Sequence, residues 1–104
     1  MDLSVDAAAR ALGVGYFNLI KRGTDGSLVL SSDRWRAEEP TGEALRFAAQ
    51  APEAPPLELA REDIARAAWD RLPKQHARSQ VRFYLRSGDL WTFSGSVDED
   101  ALRT

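Results

Sequence analysis

Val5, Ala8, Ala9 and Leu12 recur at helical spacing behind Ser4, and Gly13 follows as a C-terminal stop, so the pattern predicts a helix over 4–12. YFNLIKR and SLVLSSD then flank GTDG. Two β-rich runs around an Asp-Gly turn predict a hairpin, with strands near 15–22 and 27–32. Thr41 is placed to cap a short helix through Ala49, with Leu45, Ala48 and Ala49 on one side. Pro52, Pro55 and Pro56 cannot continue that helix, so 51–57 reads as an extended connector. Glu58 to Leu72 gives the strongest helical pattern: Ile64, Ala65, Ala68, Trp69 and Leu72 share one face, and Pro73 disfavours helix at the residue before it.

A second hairpin is expected over 80–97, after the loop KQHARS. Val81, Phe83 and Leu85 alternate with Arg82, Tyr84 and Arg86, and Trp91, Phe93 and Val97 oppose Leu90, Thr92 and Ser94. Loop length sets which faces meet. An odd loop, Arg86-Ser87-Gly88 with Gly88 in the left-handed region, puts Phe83 opposite Trp91 and Val81 opposite Phe93 on one buried face. An even loop instead puts Tyr84 opposite Trp91 and Arg82 opposite Phe93, an aromatic and arginine platform of the kind on which bases stack. Burying Trp91 and Phe93 is worth on the order of 2–3 kcal/mol each, which favours the odd loop.

Together these elements predict an α+β fold: two β-hairpins forming a four-stranded antiparallel sheet with about three helices packed on it, in the order αββ-α-αββ. FNLIKRGTDGSLVLSS aligns with RFYLRSGDLWTFSG when gaps are allowed, a rhythm compatible with duplication. At 104 residues the chain reads as a single domain, 1–104.

Composition adds bounds. With 43% hydrophobic and 29% charged residues the chain belongs with globular proteins. No cysteine is present, which removes disulfides, thiolate metal sites and cysteine nucleophiles together. No apolar stretch approaches a signal or membrane segment, so a cytoplasmic location without membrane contact is expected. Twelve arginines to two lysines fit a GC-rich bacterial genome. The net charge of −2 is unevenly placed: an acidic middle with Glu38, Glu39, Glu43, Glu53, Glu58, Glu62 and Asp63 precedes the stretch 71–86, which holds five basic residues and no acid.

Candidate chemistry is sparse. LSVDAAARALGV resembles the opening of the helix-turn-helix in excisionase and MerR type proteins, with LIKRG and DRWR in place of the second helix and wing. About six residues separate Gly13 from Leu19, too few for the usual turn and recognition helix, so that family is not assigned. His76 is the only histidine and has no orienting partner by spacing. The acidic pairs read as caps and surface charge, and GTDGS lacks the lysine of a P-loop and the ligand series of a calcium loop. No catalytic, metal or cofactor constellation is expected.

Two functions follow. The first is a small non-enzymatic interaction or regulatory protein that binds another protein or itself, with Trp35 as interface anchor. The alternative is a winged-helix-like nucleic-acid module using 71–86. In either case Lys74, Arg78, Arg82, Tyr84 and Arg86 are the candidate binding residues.

Overall fold

A computed structural model describes residues 1–72, 78–97, 100 and 102. Helix α1 (Val5–Ala11) begins where capping chemistry places it, with the Ser4 side chain accepting from the Ala7 backbone N–H at 3.1 Å. Around it runs one sheet of eight antiparallel strands: β1 (Asp2–Leu3), β2 (Phe17–Arg22), β3 (Leu28–Ala37), β4 (Ala44–Ala49), β5 (Leu57–Ala60), β6 (Ile64–Arg71), β7 (Arg78–Leu85) and β8 (Leu90–Ser96). Their spatial order is β1-β6-β7-β8-β2-β3-β4-β5. Among the described residues the fold is therefore mostly β with one α-helix, and the expected α+β arrangement of three helices on a four-stranded sheet is overturned.

The segments expected as helices at 41–49 and 58–72 form strands instead, the second with a 3₁₀ turn between its strands. In β4, Leu45 and Phe47 are buried while Arg46 between them is exposed, an alternation masked by the helix-favouring alanines around it. The region 58–72 holds β5, a 3₁₀ turn (Arg61–Asp63) and β6. A register irregularity between Ile64 and Arg66 shifts the phase of β6, so Ile64, Ala67 and Trp69 reach the interior with a spacing that breaks the strict alternation of a strand. The prolines of 51–57 lie in the turn joining the paired strands β4 and β5, and Leu57 is already in β5.

The sheet is curled. Phe47 of β4 stacks on Phe93 of β8 with ring centroids 4.8 Å apart and meets Phe83 of β7 edge-on at 6.4 Å. In a flat sheet those strands would lie about 14–19 Å from β4. The short Arg61–Asp63 link imposes the same closure, because it joins β5, at one edge, to β6 beside the other edge. Ala8, Ala9 and Leu12 of the helix segment join this core, and the Leu12 carbonyl accepts from Ala37 N–H at 2.8 Å.

Gly95 faces the interior of β8 because the Phe17 ring lies against it: a Cβ there would come within 2.6 Å of the ring. The β7–β8 register is the odd one, Phe83 opposite Trp91 and Val81 opposite Phe93, with Gly88 at φ +98°. Val81, Phe83 and Phe93 are fully buried, whereas Trp91 is only half-buried at the rim, beneath Lys21.

Phe93→Ala removes the ring that contacts both Phe47 and Phe83 and is expected to cost about 3–5 kcal/mol in urea unfolding. Gly95→Val is expected to lose about 1–3 kcal/mol by crowding Phe17. An unchanged midpoint in either variant contradicts this packing.

Candidate functional site

Register places the outward side chains of β6, β7, β8, β2 and β3 in rows across the sheet. One row runs Arg66, Tyr84, Leu90, Arg22, Leu28. The next runs Ala68, Arg82, Thr92, Ile20, Leu30. This outer face is basic and aromatic at the β6–β7 end and, apart from Arg22, apolar at the β2–β3 end.

At the basic end Arg66, Arg82 and Arg86 are engaged. Arg82 donates to and pairs with the Asp70 carboxylate, which also lies 3.6 Å from the Met1 ammonium. The Arg66 guanidinium sits 4.2 Å from the Tyr84 ring centroid and within 3.6 Å of Asp2, and Arg82 approaches the same ring at 5.5 Å. Tyr84 is thus flanked by two arginines, each of which also lies beside a carboxylate. Arg86 lies in the β7–β8 turn, where its Nε donates to the Glu62 carbonyl at 2.8 Å and its backbone N–H to the Asp63 carbonyl at 2.8 Å. It clamps the 3₁₀ turn to the hairpin. Arg78 opens β7 opposite Ser96, partly buried, its Nε without an acceptor among the described residues.

Of the sequence-derived candidates, Arg78, Arg82 and Tyr84 alternate with the buried Ser79, Val81 and Phe83 and share the outer face, while Arg86 lies beyond the end of β7. Lys74 lies outside the described residues, as does His76. Trp35 is a core residue, 5% exposed, paired with Phe17 and Ala49, its Nε1 donating to Ser31 Oγ at 2.9 Å. An anchor for a partner has to be reachable, and Trp35 is not.

The apolar end is the feature sequence reasoning passed over. Leu28, Val29 and Leu30 are consecutive in β3 and 59%, 61% and 69% exposed. A half-buried strand alternates, so three apolar residues in succession between Ser27 and Ser31 are themselves the signal that was available. The turn carrying them has Gly26 N–H donating to the Gly23 carbonyl at 3.0 Å, Gly23 N–H to the Ser27 carbonyl at 2.9 Å, and Gly26 at φ +85°. The β7–β8 turn repeats this bonding: Gly88 to Leu85 and Leu85 to Asp89, each at 2.9 Å. The two tips touch, since a Cβ at position 88 would fall 2.7 Å from Thr24 Cγ2.

Two surface grooves lie among the described residues away from the β2–β3 hairpin. One, about 490 Å³, brings Glu43, Glu58 and Glu62 near Arg61; the other, about 280 Å³, lies between Arg10, Arg36 and Glu38. Arg61 is committed to Asp6 and to the Thr41 carbonyl, and Arg36 to the Gly13 carbonyl. Among the described residues no three His, Cys, Asp or Glu side chains are grouped to hold a metal ion, and no helix is long and apolar enough to cross a membrane.

Asp25 tests the turn geometry directly. Its Oδ1 accepts from the Ser27 hydroxyl at 2.6 Å and the Ser27 N–H at 3.0 Å, and these bonds, the hydroxyl first, hold its carboxyl below the ordinary aspartate range. A folded-state pKa lowered in this way adds stability above the unfolded value, and that stability is lost as pH falls through the folded one. Because Asp25 is fully exposed, the useful measurement is its NMR titration, where Ser27→Ala is expected to move the midpoint upward toward that of free aspartate. An unmoved midpoint removes the turn hydrogen bond.

No family model, no curated protein and no solved structure matches this chain.

Proposed function

We propose that this protein is a small non-enzymatic interaction domain that docks protein through the β2–β3 hairpin. The single observation carrying this reading is the exposure of Leu28, Val29 and Leu30, with Leu28 and Leu30 on the outer face beside Arg22 and Ile20, and Val29 on the opposite face beside Lys21. Exposed apolar residues are ordinary when scattered, but a contiguous set on a rigid strand is characteristic of a contact surface.

The nucleic-acid alternative is less well supported. Phosphate binding draws its affinity from cations that exchange counterions for phosphate. Here Arg66 and Arg82 lie against carboxylates, Arg86 is committed to a backbone carbonyl, and the chain as a whole is acidic. A base stacking on Tyr84 would have to displace an arginine from its ring.

Two measurements test the proposal. A mixed pool of labelled single- and double-stranded oligonucleotides is expected to show no anisotropy change with micromolar protein at low salt; binding that weakens steeply with salt would replace the proposal with the alternative. The double variant Leu28→Ser/Leu30→Ser is expected to unfold within about 0.5 kcal/mol of the parent, because these residues contribute to contact and not to the core. A loss of more than about 2 kcal/mol would make them structural and remove the docking surface.

A further inference from the structure

The edge of β3 is half open. β4 pairs with β3 only at Trp35, Arg36 and Ala37, although β3 begins at Leu28. On the β4 side no strand pairs with the segment from Leu28 to Asp33 among the described residues.

The turn bonding shows which backbone groups face that open side. Gly23 and Ser27 form the hydrogen-bonded pair that closes the hairpin, and bonded and non-bonded pairs alternate along antiparallel strands. Arg22 with Leu28 is therefore a non-bonded pair, Lys21 with Val29 a bonded one, and Ile20 with Leu30 non-bonded. The N–H and C=O groups of Leu28 and Leu30 consequently point away from β2, toward the unpaired edge. Four ladder groups at strand spacing and three exposed apolar side chains lie on one segment, the arrangement by which a sheet accepts a further strand.

The sequence of that segment indicates the strand it accepts. Ser27-Leu28-Val29-Leu30-Ser31 reads the same in both directions. A two-fold axis through Val29 sets Leu28 opposite the partner's Leu30, Val29 opposite the partner's Val29 and Ser27 opposite the partner's Ser31. Leu28 and Leu30 then form the hydrogen-bonded pairs that their outward backbone groups require. A two-fold interface demands one surface that complements itself, and this one does so residue by residue. Beyond the palindrome the partner's Asp33 would come opposite the Asp25 turn, where like charges limit further pairing. On the outer face Leu28, Leu30 and Ile20 of each copy would join into one apolar strip across the axis.

We propose that the occupant of this edge is a second copy of the chain, paired antiparallel through β3 about Val29 to make one sheet continuous across the dimer. This rests on the reading of the hairpin as a protein-docking element and names its partner. The interface is smaller than that of a permanent dimer, so association is expected on the order of 100 μM by sedimentation equilibrium of the full chain.

The register is tested by three single-cysteine variants, since the chain has no cysteine of its own. In the non-bonded central pair the two position-29 Cα atoms would lie about 4.5 Å apart, within disulfide reach. Two copies of position 28, or of position 30, would face each other diagonally at about 7–8 Å or more, outside it. Under mild oxidation Val29→Cys is expected to form a disulfide dimer at least about tenfold faster than Leu28→Cys or Leu30→Cys. Equal rates in all three, or slower linkage at position 29, would overturn the pairing. A wild-type chain that stays monomeric up to about 1 mM would overturn the dimer and leave the hairpin open to a different protein, whereas salt-dependent oligonucleotide binding would overturn the docking reading itself.

Discussion

Phe47 stacked on Phe93, with Phe83 set edge-on to both, is the contact around which the rest of the molecule is arranged. It brings β4 against β7 and β8, strands well separated in the sheet order, and so fixes the curl. Aromatic pairs in these geometries contribute about 0.5–1.5 kcal/mol beyond the area they bury. The curl in turn leaves an interior that small residues must complete. Ala8 and Ala9 of α1 are buried there, and Gly95 makes room for Phe17.

Pairing of neighbouring strands also shapes the charge pattern. Outward arginines lie beside carboxylates brought near by the fold: Arg82 with Asp70, Arg66 with Asp2, Arg61 with Asp6 and Arg46 with Glu58. Exposed pairs of this kind add little stability individually. Their consequence is for recognition. Within the basic stretch 71–86, this pairing places Arg82 beside Asp70.

The β2–β3 hairpin departs from that economy. Edge strands in soluble proteins are ordinarily shortened, charged or covered. β3 instead presents three apolar side chains over an open backbone edge, beyond the point where β4 stops. Its tip is held by a turn with the same hydrogen bonding as the β7–β8 turn beside it, and the two tips are in contact. A rigid hairpin carrying an unpaired edge is suited to adding a strand, because little backbone freedom remains to be lost when it does.

Local chemistry in the chain determined the capped helix at its start, both glycine-containing hairpin turns and the alternation that places Phe83 opposite Trp91. These depend on neighbours within a few residues, and the sequence displays them directly. It also held the SLVLS run in plain view, though its exposure became visible only when β4 was found to stop short of it. The strands at 44–49 and 64–71 were decided by tertiary structure. Alanine-rich segments with a helical spacing of apolar residues become strands when a sheet needs partners, and the phase shift near Ile64 hid the period that would have revealed one of them. Trp35 and the arginines changed meaning for the same reason. Whether a tryptophan is an anchor or a core residue, and whether an arginine is available or paired, depends on side chains distant in sequence, and only the closed sheet brings those side chains together.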